Sequence, residues 1–387
     1  MGPITILDKS AFQSFSHREH RYFVRYFLEN VTPVLVQEVT ADLSKAAKDG
    51  KPSEEKVVEL ARKFHGSGTS ANENYRSLCM SSLMGVDVPM DGRIPVDNGT
   101  LLRNEDGSTG MFIDMSFFNH LIMKLAANQA DEHDRAFARR WREATSNFSL
   151  QGLTKYLSSR HIILPKSANT DEIKLSVDTM LAKSSLQHIW LEAILLLLKV
   201  DPSQATQVRV RWSHEETFMK AFAPFAYHCL RALLMLFVAS RDAHVKAKPT
   251  DLVDLQYLYY LPFCYVFSSD DKVHRILAPL LIRPDQTFVR APELKSALRE
   301  LAGYFDARTE QERTWISYAL GSHPPPLPNN LVSQLWRKHM RPWGRGMRNF
   351  ASKLSEQESE AALQYVEELF KASAAPPPEA DPAKRTA

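Results

Sequence analysis

Four short acidic patches carry the chemistry that this chain can be read to do. Asp8 closes the apolar run Ile4-Thr5-Ile6-Leu7, and Glu38 follows Val34-Leu35-Val36-Gln37. Asp251 and Asp254 open an apolar segment, and Asp270-Asp271 follow Tyr265-Val266-Phe267-Ser268-Ser269. Continuous apolar runs of this length are the mark of strands buried in a parallel sheet. In open α/β sheets, ligands bind beyond the carboxyl ends of such strands. Carboxylates delivered there from separate segments can converge on one hard cation, and oxygen ligands are what Mg²⁺ or Mn²⁺ prefers. Like charges brought that close cannot all stay ionised without a cation. The bound ion would activate a water for in-line attack on a phosphodiester and stabilise the leaving oxygen. Taken singly, each acid has an ordinary reading: a turn residue for Asp8, a helix-start charge for Glu38, an N-cap for Asp251 and a helix start for Asp270-Asp271. Only their conjunction points to chemistry.

The elements that must position these acids follow from the pattern. Residues 4–7 read as a first strand, and a helix with aromatics at Phe23 and Phe27 comes after it. Thr32-Pro33 opens what reads as a second strand, Val34 to Val36, running into a helix that carries Glu38 and Asp42 on one face. The polar stretch 46–56 reads as a domain boundary, and 54–215 as helices broken by Gly/Asn/Asp loops. A strongly apolar helix at about 217–240 leads to the helix opened by Thr250-Asp251. Pro262 stops that helix, Cys264 to Ser268 reads as a strand, and a further strand–helix pair falls at Gln286–Tyr304. The tail from Ala374 is rich in Pro and Ala and reads as disordered.

On these motifs the chain resembles the PIN-domain nucleases. The resemblance rests on Asp8-Lys9-Ser10-Ala11 after the first strand, on Val34-Leu35-Val36-Gln37-Glu38-Val39, on Asp254 with its neighbour Asp251, and on Phe267-Ser268-Ser269-Asp270. It implies an α/β, three-layer fold with a central parallel sheet. The PIN-like core would be discontinuous, 1–50 and 216–305, with a large α-helical insertion at 51–215, a C-terminal helical extension at 306–372 and a disordered tail at 373–387. It further implies that Asp8, Glu38, Asp254 and Asp270 hold one or two Mg²⁺ or Mn²⁺ ions. Asp251, Asp271 and Asp42 are the alternates, and Ser10 and Ser269 orient the ligands. The products would carry a 5′-phosphate and a 3′-hydroxyl. The chain departs from the family in the length of the insertion between the second and third acids. It also departs in Ser268-Ser269, where Thr-Asn is commoner.

The expected activity is therefore metal-dependent endonucleolytic cleavage, with RNA favoured as substrate. A toxin with an antitoxin or other protein inhibitor is the nearest functional analogy. A catalytically weak scaffold that binds nucleic acid or protein, and a structure-specific DNA nuclease, are the rival readings. Arg337, Lys338, Arg341, Trp343, Arg345 and Arg348 interleave bases with aromatics, a pattern that suits single-stranded RNA as well as it suits a packed basic helix.

Composition sets outer limits. The chain has 387 residues with 48 basic and 45 acidic side chains, so its net charge of +3 leaves nucleic-acid binding to local patches. Its hydrophobic fraction of 44% argues against global disorder. The cysteines Cys79, Cys229 and Cys264 form no CxxC pair, which argues against structural zinc and a disulfide framework. A reducing, cytoplasmic setting without a membrane partner is the expectation. Met1-Gly2-Pro3-Ile4 does not read as a signal peptide. With no G-x-S-x-G, P-loop or G-x-G-x-x-G motif, acyl transfer, NTP hydrolysis and dinucleotide chemistry have no support in the sequence. Oligomeric state is not legible in the sequence.

Overall fold

Buried strands with helices on either side follow from the alternation of short apolar runs and amphipathic segments, and the structure has that architecture. A computed structural model describes residues 2–340, apart from 48–51, 65–68, 97–98, 104–108, 114–115, 147–149, 216, 247, 322 and 326. The described strands are β1 (Ile4–Leu7), β2 (Leu28–Val31), β3 (Thr69–Ala71), β4 (Gly99–Arg103), β5 (Thr109–Ile113), β6 (Val266–Ser269) and β7 (Thr287–Arg290). Five of them form one all-parallel sheet in the order β3-β2-β1-β6-β7. The strands β4 and β5 make a separate antiparallel pair. The protein is thus a mixed α/β fold of three layers with helical additions, as expected from the sequence.

The central strand β1 pairs with β2 through Thr5 and Glu29 and with β6 through Ile6 and Phe267. Parallel neighbours require crossovers, here helical. Helices Lys9–Ser14 and His17–Tyr26 join β1 to β2, and helix Lys272–Leu281 joins β6 to β7. The helix Pro224–Arg241 is buried nearly all round and packs on helices Tyr75–Leu83, Thr170–Leu181 and Asp251–Tyr259. Among the described residues no single helix is long and apolar enough to cross a membrane.

Two expectations from the sequence need correction. Val34 to Val36 is not a strand; it lies inside helix Pro33–Ala41. Thr32 caps that helix by accepting a hydrogen bond from the Leu35 N–H, and Pro33 stands in its first turn. Proline is pre-organised there, and a hydroxyl before it completes a helix start. The strand is Leu28–Val31, immediately upstream, so Glu38 sits well inside a helix instead of at the start of one following a strand. The second correction concerns 51–215, which is not a wholly helical insertion. The strand β3 lies inside it and hydrogen-bonds along β2, Glu29 opposite Thr69 and Val31 opposite Ala71. Residues up to Met340 form one compact unit, and helix Ser53–Ala61 packs on the turn Asp42–Ser44 across the expected boundary at 46–56.

The described part of the C-terminal extension belongs to this unit. Helix Leu331–His339 packs on helix Ala291–Asp306 and buries Trp336. The Trp336 indole N–H donates to the Tyr26 carbonyl at 2.6 Å. Gly2 passes so close that a Cβ there would stand 1.8 Å from the same carbonyl oxygen and 2.8 Å from the indole ring. Residues 373–387 lie outside the described part. Trp336→Ala should lower the stability of the fold by about 3–5 kcal/mol, the usual loss for a buried aromatic. Trp336→Phe keeps most of the packing and should lose only about 1 kcal/mol for the hydrogen bond. Urea unfolding measures both; a loss in the alanine variant no larger than that of an exposed side chain would show that this helix does not hold to the body.

Candidate active site

The site is built on the end of the central strand. Where β1 stops at Leu7, the Asp8 N–H donates to the Ser268 carbonyl at 3.2 Å, tying β1 to β6. The Asp8 side chain then turns back as the N-cap of helix Lys9–Ser14 and accepts from the Ala11 N–H at 2.8 Å. An aspartate is among the best residues for this task, because its oxygen satisfies an N–H that the helix leaves open. The Ser10 hydroxyl reaches both Asp8 oxygens at 2.9 Å, and the Ser269 hydroxyl, at the end of β6, donates to Oδ2 at 2.5 Å. The carboxylate is only 3% exposed, yet it is fully surrounded by donors.

His274 completes this arrangement. It lies in the first turn of helix Lys272–Leu281, which Asp271 caps by accepting from the Val273 N–H at 2.7 Å. Its Nδ1 is 2.7 Å from the Ser269 hydroxyl and 3.3 Å from Asp8 Oδ2, and its Nε2 is 2.7 Å from the Asp254 carbonyl. A carbonyl can only accept, so Nε2 carries a proton; a carboxylate can only accept, so Nδ1 carries one too. His274 is therefore an imidazolium. Burial alone would lower its pKa, but the hydrogen bond and charge of Asp8, then the charge of Asp254, push it up to about 9. Reciprocally, burial would raise the Asp8 carboxyl, and His274, Ser269 and Ala11 hold it below the usual range.

Glu38 and Asp254 face the opposite situation. Glu38 accepts from the Tyr257 hydroxyl at 2.6 Å, and Tyr257 stands three residues after Asp254 on the same face of helix Asp251–Tyr259. Among the described residues no donor reaches the Asp254 carboxyl. Burial, then the charges of Asp271, Glu38 and Asp8, push Asp254 up to about 8 against the pull of His274. Burial likewise raises Glu38, in spite of Lys9 and the Tyr257 hydroxyl. Both acids border a cavity of about 240 Å³, whose other walls include Lys9, Asp42, Trp141, Arg142 and Pro249. Of two larger cavities of about 650 Å³, one adjoins this cavity at Trp141 and Thr145, and the other opens beside Pro262 and Gln286, ahead of β6 and β7 at the far edge of the sheet.

The structure therefore brings Asp8, Glu38 and Asp254 into one electrostatic cluster, with Asp271 beside it. Asp270 is turned away. It is exposed and held by Arg290, whose Nη2 is 2.8 Å from its Oδ1, so Asp270 is not part of the cluster and Asp271 is the acid of that turn nearer to it. The reason is local: residues next to each other at a strand end point to opposite sides. Asp251 is buried and accepts from the Lys248 N–H at 2.8 Å, as a helix-start turn would require. Asp42 binds bases and is not one of the gathered acids. From the basic C-terminal stretch, Arg337 donates to the Pro328 carbonyl and Lys338 to Gln286 O and Thr287 Oγ1, and both residues stay exposed. Arg341, Trp343, Arg345 and Arg348 lie outside the described residues.

His274, Lys9 and Tyr257 contribute to the site without being among the acids to which the sequence pointed. Tyr257 had the clearest signal, its i+3 relation to Asp254. For a metal, the donor set is all oxygen, and two half-buried carboxyls with raised pKa values are short of positive charge, which suits a hard divalent ion. The carboxylates of Asp8, Glu38 and Asp254 are nevertheless not drawn tight. Among the described residues, three ligand atoms within 4.8 Å of one another occur only in Asp131, His133 and Asp134. That group is a reciprocal helix cap, Asp131 N–H to Asp134 and Asp134 N–H to Asp131, neutralised by Lys124 at 2.6 and 2.7 Å. No protein-family model matches the chain, and no curated protein or solved structure is significantly similar to it.

The raised Asp254 pKa makes stability depend on pH with a definite sign. In the unfolded chain this carboxyl ionises near 3.8, but in the fold it stays protonated to about 8. Folding thus takes up a proton between these values, and wild-type stability falls as pH rises through them, by at most about 1.4 kcal/mol per pH unit. Asp254→Asn has no such proton to bind. Its advantage over the wild type in urea midpoint should grow across that window and level off above it; an advantage that does not change with pH would show that Asp254 titrates as it does in water.

Proposed function

We propose that the protein is a metal-dependent nuclease of PIN-like type that hydrolyses phosphodiester bonds, with RNA as the favoured substrate. The observation that carries this reading is the meeting of Asp8, Glu38 and Asp254, from three distant segments, beyond the carboxyl ends of β1 and β6. Ligand sites of open α/β sheets lie at that edge, and the strand order β3-β2-β1-β6-β7 puts Asp8 at its centre.

Each residue has a task that follows from its surroundings. Asp8 is kept ionised and fixed in direction by His274, Ser269 and Ser10. Glu38 and Asp254 are the carboxyls with room for a ligand, and Asp271 adds negative charge beside them. Mg²⁺ or Mn²⁺ held by Asp8, Glu38 and Asp254 would supply an activated water and offset charge on the leaving oxygen. Lys9, held between Asp42 and the Glu38 carbonyl, puts a positive charge on the cavity wall.

A second reading has a specific observation in its favour. Asp8 is already saturated with donors, which suits a scaffold that binds nucleic acid or protein and cleaves weakly or not at all. Cleavage assays separate the two. Labelled single-stranded RNA and DNA and a flap duplex, incubated with Mn²⁺, should show cleavage, fastest on RNA. Loss of an outer partner of a metal ligand costs about 10–100-fold. His274→Ala should therefore fall in that range, and Asp8→Asn and Asp254→Asn beyond it. Asp270→Asn should leave the rate unchanged. The rate should fall at acid pH, because metal binding needs these carboxylates ionised. If the wild type cleaves none of these substrates, the scaffold reading replaces the nuclease.

A further inference from the structure

We infer that Lys45, Lys56 and Arg142 form a phosphate-binding ledge that leads a single-stranded nucleic acid into the acid cleft. The assignment of the cleft as destination rests on the nuclease reading; the binding itself does not.

The ledge is organised by Asp42, which is 1% exposed and accepts cations from four separate elements. Lys9 and Lys45 both stand 2.6 Å from its Oδ1, Arg142 stands 3.5 Å from the same oxygen, and Lys56 stands 3.9 Å from Oδ2. Lys9 is nearly buried and serves as the structural counterion. The other three side chains are 36–40% exposed and, among the described residues, share only this one carboxylate, so positive charge is in excess there. Glu54, the next described acid along, is already held by Arg135 at 2.5 Å. Gathering like charges around a single small anion is unfavourable unless a further anion completes the site.

The form of that anion follows from the neighbours. Lys45 and Arg142 line the same 240 Å³ cavity as Glu38 and Asp254, so one wall is basic and the other acidic. An anion with a single charged group would satisfy the first wall and be repelled by the second. A phosphodiester chain can leave several phosphates on the ledge and present one bond to the acids. Ammonium and guanidinium groups both bind phosphate oxygens, the latter in a fork. Trp141, adjoining Arg142, is a wall of this cavity and of a larger one beside it that is also lined by Tyr75 and Tyr259. Aromatic faces at a basic groove are how single strands are held without sequence readout. A cavity smaller than the usual ligand pocket of about 300–1,000 Å³ has no room for a duplex.

The test is fluorescence anisotropy of the full chain with labelled oligo(U) and oligo(dT) in EDTA, across a range of KCl, so that cleavage plays no part. For single strands the slope of log affinity against log salt changes by about 0.7 for each phosphate that the protein no longer neutralises. K45A/K56A/R142A should therefore reduce the slope by about 2 and weaken binding at low salt by at least about tenfold. The charge-preserving K45R/K56R/R142K should bind as the wild type does. K166A/K174A/K183A removes the same charge from exposed lysines that do not line the cleft, and should also bind normally. The inference is overturned if the ledge variant binds like the wild type, or if the second triple loses as much. Tighter binding of the annealed duplex, or equal binding of poly-glutamate, also overturns it. Binding through the ledge without any Mn²⁺-dependent cleavage would retain the ledge and sink the nuclease; cleavage with an unaltered slope would do the reverse.

Discussion

The Asp8 carboxylate, buried at the end of the central strand, is the group on which the rest of this edge of the fold depends. It caps helix Lys9–Ser14, accepts from the last residue of β6 and pairs with an imidazolium that is itself hydrogen-bonded to helix Asp251–Tyr259. Four elements are thereby fixed to one another through a single charge. Removing one partner of a buried ion pair typically costs 3–5 kcal/mol, because the other is left uncompensated. Here His274 offsets the burial of Asp8, and three further donors complete its shell.

Compensation at Asp8 contrasts with its shortage a few ångströms away. Asp8 is driven below the carboxylate range, whereas burial and the neighbouring acids drive Asp254 and Glu38 above it. Acids in one cluster whose environments push their pKa values apart are the usual mark of divided roles in a reaction site. Positive charge is present but segregated: Lys9 is taken by Asp42 and the Glu38 carbonyl, and the remaining bases gather around Asp42. Acids on one wall and bases on the other give the cleft a polarity that neither set would have alone.

The helical additions serve the same edge. Helix Glu132–Ser146 lies against helix Pro33–Ala41 and supplies Trp141 and Arg142 to the cleft, with the Trp141 indole donating to Gln37 at 3.3 Å and Arg142 to the Ala41 carbonyl at 2.9 Å. A segment about a hundred residues away in sequence therefore closes a site begun by the first strand.

Much of this was legible in the order of residues. Continuous apolar runs mark β1, β6 and β7, and Asp8 and Asp254 could be named from where those runs and helix starts fall, whereas Glu38 was named from a run that is helix. Val34-Leu35-Val36 was ambiguous, since a three-residue apolar run has no period, and the Thr32-Pro33 cap decided for helix. The strand β3, short and polar, offered no run at all and is defined by its hydrogen bonds to β2. Asp270 and Asp271 could not be told apart by type; the strand's alternation and Arg290 sorted them. His274 was the least legible, because an imidazole becomes a cation only through its partners, and those are Asp8 and Asp254, which the chain brings beside it only on folding. Local order thus determined which groups could do chemistry, and tertiary packing decided which of them are charged, since charge in a buried site depends on distance through space.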